Sequence, residues 1–351
     1  MPAVKQETEN PGGKVLLTGG TGFIASHVLD SLLEHGFETV VTVRSEDKGK
    51  RLVDAVDPKA KHLVRFAIVG DIAQDGAFDE VMKSEPFDYV VHTASPYQLH
   101  WDDPVRDCLD PAIKGTTGIL KSTKAYNPSV KRVVITSSSA AVLNPPNHRP
   151  VYDETSWCEI TWEQAMDPKH TYRASKKFAE KAAWDFVSTQ SPNFTLSVIN
   201  NTYTFGPVQK SLAHPDQINT SNHRIRDLVL GMQRAAVAST LPPFTFVDVR
   251  DVALAHVRAM MLPEAGGERF YLVSGYYSNP RLAEIIRANF PELQKKLPPP
   301  GAEDDFPEGH WAFDTSKSRR VLGLEYIGLE KSVVDTVKSI LEREDWGVLK
   351  A

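Results

Sequence analysis

The chain has 351 residues, 41% of them hydrophobic and 24% charged, an ordinary globular composition with room for one large domain or a large and a small one. Lys plus Arg number 40 against 45 Asp plus Glu, and a net charge of −5 speaks against a surface for nucleic acid. Cys108 and Cys158 are too few for a disulfide framework and lack metal-ligand spacing, so no metal site and a reducing, cytoplasmic setting are expected.

Residues 1–13 are polar and contain no signal-peptide core, and no apolar run reaches the roughly 20 residues of a membrane span, so no membrane partner is expected. The run Lys14 to Thr18 (KVLLT) then stops at Gly19-Gly20-Thr21-Gly22. Phe23, Ile24, Val28, Leu29, Leu32 and Leu33 follow at helical spacing as far as Gly36, giving strand, glycine turn and helix. Further apolar runs occur at Thr39 to Val43, Leu63 to Val69, Tyr89 to His92, Arg132 to Thr136 and Leu196 to Ile199. Between them lie segments of helix length, such as Pro111 to Ala125 and Ser175 to Thr189. Apolar strands alternating with helices predict an α/β fold, a doubly wound parallel sheet of Rossmann type covered on both faces.

The texture changes afterwards. Gly206 to Pro243 and Pro280 to Gly309 are rich in Pro, Asn and charge, whereas Phe246 to Arg258 reads as a strand and helix returning to the first domain. The predicted organisation is a nucleotide-binding domain over 12–205, with 245–262 returning to it, and a smaller C-terminal α/β substrate lobe over 206–244 and 263–345.

Small residues at Gly19, Gly22 and Ala25 sit between a strand and a helix. They allow a tight turn and a close approach of backbone to a pyrophosphate at the helix N-terminus. At the end of the second strand, where NAD-selective sites carry an acidic residue for the ribose hydroxyls, this chain has Arg44 and, one turn on, Lys48; two cations there predict NADPH/NADP+, the alternative being that both are simply solvated. Asp71, after the third strand, suits a carboxylate near the adenine amine and equally suits a turn cap; Ile72 adjoins it. Thr93-Ala94-Ser95 and Ser137-Ser138-Ser139 follow the fourth and fifth strands, at the carboxyl ends where such sheets bind ligands. Tyr172 and Lys176 are one helical turn apart, so an ammonium stands by a phenol and favours its ionised form. Tyr-x-x-x-Lys also fits any amphipathic helix, and the pair takes its meaning from the rest of the chain.

TGGTGFIASHV, VRS at Arg44, HTASPY, VVITSSSAAV, the stretch from DETSW to TWE, YRASKKFAEKAAW and FVDVRDVALAH occur in that order between about residues 14 and 260. Through them the chain resembles an extended short-chain dehydrogenase/reductase, in the branch of dihydroflavonol reductases and fungal methylglyoxal (isovaleraldehyde) reductases. The resemblance implies an NADP-dependent oxidoreductase acting on CH–OH or C=O groups, with a small carbonyl compound as substrate, as a monomer or homodimer. It implies Tyr172 as general acid, Lys176 as the group that lowers its pKa and holds the nicotinamide ribose, and Ser138 as the hydrogen bond to the carbonyl. Ser137 and Ser139 stay open beside Ser138. The cofactor set is then Gly19, Thr21, Gly22, Phe23, Ile24, Arg44, Lys48, Asp71, Ile72, Thr93, Ala94, Ser95, Tyr172 and Lys176. Carry-over gives Tyr97, Leu143, Lys169 and Tyr203 as pocket walls.

Three departures from the family pattern stand out. Lys114 replaces a common Asn of the proton relay, Asn200-Asn201 replaces Asn-Pro after the sixth strand and predicts a looser loop, and Lys169-His170 near Tyr172 reads either as a solvated lysine, the favoured reading, or as an attraction for an acidic or polyoxygenated substrate. A sugar-nucleotide epimerase or dehydratase with bound NAD is the competing enzyme, and a non-catalytic NADP(H) sensor the competing binding protein. Arg44 and Ala140-Ala141 speak against the first, and retention of Tyr172, Lys176 and the serine against the second.

Overall fold

Valine- and leucine-rich runs become strands buried on both faces. The computed structural model describes residues 12–95, 101–212 and 214–348. In chain order, β1 (Lys14–Thr18), α1 (Phe23–Glu34), β2 (Glu38–Val43), α2 (Glu46–Ala55), β3 (Val64–Ile68), α3 (Asp79–Ser84) and β4 (Tyr89–His92) open the fold. They are followed by α4 (Asp110–Tyr126), β5 (Arg132–Thr136), β6 (Val151–Tyr152), α5 (Pro168–Gln190), β7 (Thr195–Asn201) and β8 (Tyr203–Phe205). The chain closes with α6 (His223–Val229), β9 (Thr245–Asp248), α7 (Val249–Met261), β10 (Arg269–Leu272), β11 (Gly275–Tyr276), α8 (Asn279–Asn289), β12 (Ala312–Phe313), α9 (Ser316–Leu322) and α10 (Leu329–Leu341).

The main sheet runs β10-β7-β5-β4-β1-β2-β3, every pair parallel. Strand alternation divides its core in two. Val15, Leu17, Val41, Val91 and Val134 face one side, against Val28 and Leu32 of α1 and Val252 and Ala255 of α7. Leu16, Val40, Val90 and Val133 face the other, against Ile119 and Leu120 of α4 and Ala183 of α5. Burying each such Leu or Val contributes about 1.5–3 kcal/mol relative to leaving it exposed, which is why these runs cannot sit at a surface. The order reverses direction between β1 and β4, and a doubly wound sheet opens its ligand crevice at that switch point.

Two assignments differ from the sequence reading. Arg269–Leu272, placed by sequence in the smaller lobe, is the edge strand of the main sheet, paired with β7. Thr245–Asp248, read as returning to the first domain, pairs with β8 and β11 in a separate three-stranded sheet, while α7 does pack beneath the main sheet beside α1. In both cases short runs of mixed character carry no local mark of the strand they pair with. Helices α6, α8 and α10 bury a core of their own, with Ile225 and Leu228 of α6, Leu282 and Ile286 of α8, and Val333 and Val337 of α10 packed around Phe205, Phe246 and Tyr277. No described helix is long and apolar enough to cross a membrane.

Candidate active site

Above the carboxyl ends of β1, β4, β5 and β7 lies a cleft of about 990 Å³. The glycine turn forms one end. Gly19 has φ +74°, a conformation that favours glycine, and a Cβ there would meet Ala94 Cα at 2.9 Å. A Cβ on Gly20 would stand 1.8 Å from Val41 Cγ1, so this turn lies directly against the neighbouring strands. Gly22 is the N-cap of α1 and offers no side-chain acceptor, which leaves the first-turn N–H groups to an external anion. Thr18 joins this turn to β4: its Oγ1 lies 2.8 Å from His92 Nδ1 and accepts from Ala94 N–H at 3.2 Å, while its carbonyl accepts from Thr93 Oγ1 at 2.6 Å. Burial, assisted by the charge of Lys176, lowers His92 to about 3, so the imidazole is neutral.

Thr21, Gly22, Phe23, Ile24, Arg44, Lys48 and Ile72 line the same end, continuous with Thr93, Ala94 and Ser95. Neither Arg44 nor Lys48 forms an ion pair among the described residues. Asp71 does not line the cleft: it is exposed, and its Oδ1 accepts from Ala73 N–H at 2.9 Å, the turn-capping alternative. A Cβ-free glycine cradle, open N–H groups and two cations without carboxylates fit a phosphorylated dinucleotide.

The chemical end is built by β5 and α5. Asp167 caps α5 through Lys169 N–H and Pro168 begins it, so the helix starts ahead of Tyr172 rather than at Ser175. Tyr172 and Lys176 thus share one face. Lys176 Nζ lies 5.8 Å from the Tyr172 ring centroid and donates to Ser95 Oγ at 2.9 Å. Loss of hydration lowers its ammonium to about 8, slightly opposed by Cys108.

The three serines have different surroundings. Ser137 is buried and donates to Glu180 Oε2 at 2.6 Å, and Ser139 is buried in the turn beyond it. Ser138 is half-buried beside the cleft, and its Oγ accepts from Ala140 N–H at 3.1 Å, which leaves its hydroxyl proton available.

Sequence reasoning did not single out Glu180. It is buried, accepts from Ser137, from Asn200 Nδ2 at 2.7 Å and from Arg269 Nε at 2.5 Å, and ties three strands to α5. Its spacing of two turns from Tyr172 was the available signal. Asn201 donates to Thr204 Oγ1 at 2.9 Å and Thr202 Oγ1 lies 2.7 Å from Thr245 Oγ1, so the stretch expected to be looser for want of proline is held by hydrogen bonds.

Among the expected pocket walls, Leu143 and Tyr203 line the cleft, Tyr97 lies outside the described residues, and Lys169 is exposed and does not line it. Arg173 and Arg224 do, together with Trp101, His148 and Trp311. Lys114 is exposed on α4, paired with Asp110 at 3.2 Å and absent from the cleft wall.

A parallel sheet with a glycine turn at its switch point, and Tyr, Lys and Ser gathered opposite, defines a nucleotide-cofactor enzyme of the extended short-chain dehydrogenase/reductase class. The chain belongs to the NAD dependent epimerase/dehydratase family, whose model matches residues 15–273. It is 54% identical to ketoreductase azaE of Aspergillus niger over 331 residues, 94% of this chain and 98% of that protein. It is 34% identical over 343 residues to the NADPH-dependent methylglyoxal reductase GRE2 of Saccharomyces cerevisiae, covering 94% and 98% of the two chains. The crystal structure of Gre2 with NADPH from Candida albicans superposes with a TM-score of 0.84 at 35% identity, over 94% of this chain and 98% of that one.

Proposed function

We propose that this chain reduces aldehydes and ketones to alcohols with NADPH, using Tyr172, Lys176 and Ser138. The observation that carries the reading is one cleft with Tyr172, Lys176 and Ser138 at one end and, at the other, the cations Arg44 and Lys48, which form no ion pair among the described residues. The names of the relatives, a ketoreductase and NADPH-dependent reductases, support it. NADPH, when bound, supplies the hydride.

The residues of the chain do the rest. The turn at Gly19 to Ile24 receives the pyrophosphate, and Arg44 and Lys48 receive the additional phosphate that distinguishes NADPH from NADH. Thr93, Ala94 and Ser95 border the nicotinamide half, where Lys176 reaches a ribose. Ser138, its oxygen already accepting from Ala140, donates its proton to the substrate carbonyl oxygen and orients it. Tyr172 gives its phenolic proton to that oxygen as charge develops there, and the Lys176 ammonium eases the transfer by stabilising the phenolate left behind.

The test is NADPH oxidation in equal amount to an added carbonyl compound. An epimerase or dehydratase would turn over without net cofactor oxidation, which would overturn the reading. Tyr172→Phe is expected to bind NADPH nearly as the parent does and to lose most turnover; equal turnover would refute the role of Tyr172.

A further inference from the structure

The described residues that line the cleft include five basic side chains, Arg44, Lys48, Arg173, Lys176 and Arg224, and no Asp or Glu. This is a local property, because the whole chain carries net charge −5. Arg44 and Lys48 are accounted for by the cofactor phosphate and Lys176 by the chemistry. Arg173 and Arg224 remain, at the substrate end.

Their surroundings differ. Arg173 is engaged, donating from Nη1 to Pro145 O at 3.0 Å and from Nη2 to His170 Nδ1 at 2.6 Å. Arg224 is half-buried on α6, with its guanidinium carbon 4.3 Å from the Tyr203 ring centroid and 5.8 Å from that of Tyr277. The guanidinium makes a cation–π contact with Tyr203, and no ion pair to a carboxylate is formed by Arg224 among the described residues, whereas its neighbour Arg226 pairs with Asp227. A guanidinium braced by two tyrosines, with Tyr277 able to take one of its N–H groups, still has further donors for an oxyanion, and the charge of Arg173 on the same cleft wall adds to the attraction.

We propose that Arg224 is a specificity residue that receives an ionised carboxylate on the substrate, so that the preferred substrates are carbonyl compounds that are also carboxylic acids. The inference rests on the reductase reading above and adds the chemical class of its substrate. The attraction for acidic substrates weighed from sequence for Lys169 passes to Arg224, because Lys169 does not line the cleft.

The test uses the full chain with NADPH and a series of keto carboxylates of increasing spacer length, straight-chain and aromatic, each beside its neutral methyl ester. The expected result is kcat/KM about 10- to 100-fold higher for the acid than for its ester at the spacer that reaches Arg224, the range of a charge-assisted hydrogen bond. Arg224→Gln is expected to erase that ratio and Arg224→Lys to retain part of it. NADPH binding, which reports on the distant cofactor end, verifies that each variant is folded. Turnover of esters and acids by the parent with no acid preference at any spacer overturns this inference and leaves the reductase reading standing, as does a ratio kept by a folded Arg224→Gln. Absence of NADPH oxidation with every acid and ester overturns both.

Discussion

Ser137 Oγ donates to Glu180 Oε2 at 2.6 Å, and this contact fastens the loop carrying Ser138 to the helix carrying Tyr172 and Lys176. Glu180 stands one turn beyond Lys176 and is saturated by donors from the end of β5, from Asn200 on β7 and from Arg269 on β10. The serine, tyrosine and lysine therefore keep their mutual geometry through one buried carboxylate. Removing one partner from such a pair costs about 3–5 kcal/mol, because the other charge stays buried. Glu180→Ala is expected to lose stability of that order in denaturant unfolding; a loss no larger than that of an exposed site would mean the network does not hold the loop.

The same contact separates the serines. Ser138→Ala is expected to lower kcat by about 10²–10³ with stability nearly unchanged, as for a lost donor to a developing oxyanion. Ser137→Ala is expected to cost about 1–3 kcal/mol of stability, since Glu180 loses a donor, and to lower kcat by less than about tenfold. Kinetics and unfolding of both variants check the assignment, and a reversed pattern would move the catalytic role to Ser137.

Arg44 bears on cofactor choice. In the proposed cofactor site, Arg44→Gln removes a charge-assisted contact to a phosphate that NADH lacks, so KM for NADPH is expected to rise about 10- to 100-fold while KM for NADH changes little. Equal change for both cofactors would place Arg44 away from that phosphate.

The parts legible in sequence were those written in local pattern. Val15, Leu16 and Leu17 alternate between two buried faces and so read as a central strand, and the glycines mark a turn that a Cβ at Gly20 would block. Tyr172 and Lys176 were legible because one helical turn relates them. Arg269–Leu272 was not, since four residues of mixed character do not announce their pairing with β7. Arg224 and Trp311 reach the cleft only through packing of the C-terminal half, which no nearby spacing encodes. Lys169 shows the converse: closeness in sequence to Tyr172 did not bring it into the cleft, and it is the solvated lysine of the alternative reading.

The lowered Lys176 ammonium sets a direction for the pH profile. Its charged form, which the proposed mechanism uses to support Tyr172, is lost as pH rises through about 8, so kcat/KM for carbonyl reduction is expected to fall above that value, with an apparent pKa that belongs to the Tyr172–Lys176 pair. Lys176→Arg, whose guanidinium keeps its charge past about pH 12, is expected to move the limb upward at a lower maximum. An unmoved limb would assign the titration to another group.

Asp251 gives a test of stability away from the chemistry. It is buried on α7, its Oδ2 accepts from Ile327 N–H at 2.8 Å, and burial pushes its carboxyl up to about 7, opposed by that hydrogen bond and reinforced by Asp248. An unfolded Asp titrates near about 3.9. Because the folded value is the higher one, the unfolded chain releases its proton first as pH rises. The contribution of Asp251 to stability is therefore complete below about pH 4 and is lost as pH rises through about 7. Asp251→Asn keeps an uncharged side chain with an oxygen for Ile327 at every pH. The variant is expected to gain on the parent as pH increases, by on the order of 1–3 kcal/mol between about pH 5 and pH 8, and the gap should level off above that range. Thermal or denaturant unfolding of both proteins across the range reads this directly, and a gap independent of pH would show that the carboxyl does not titrate there.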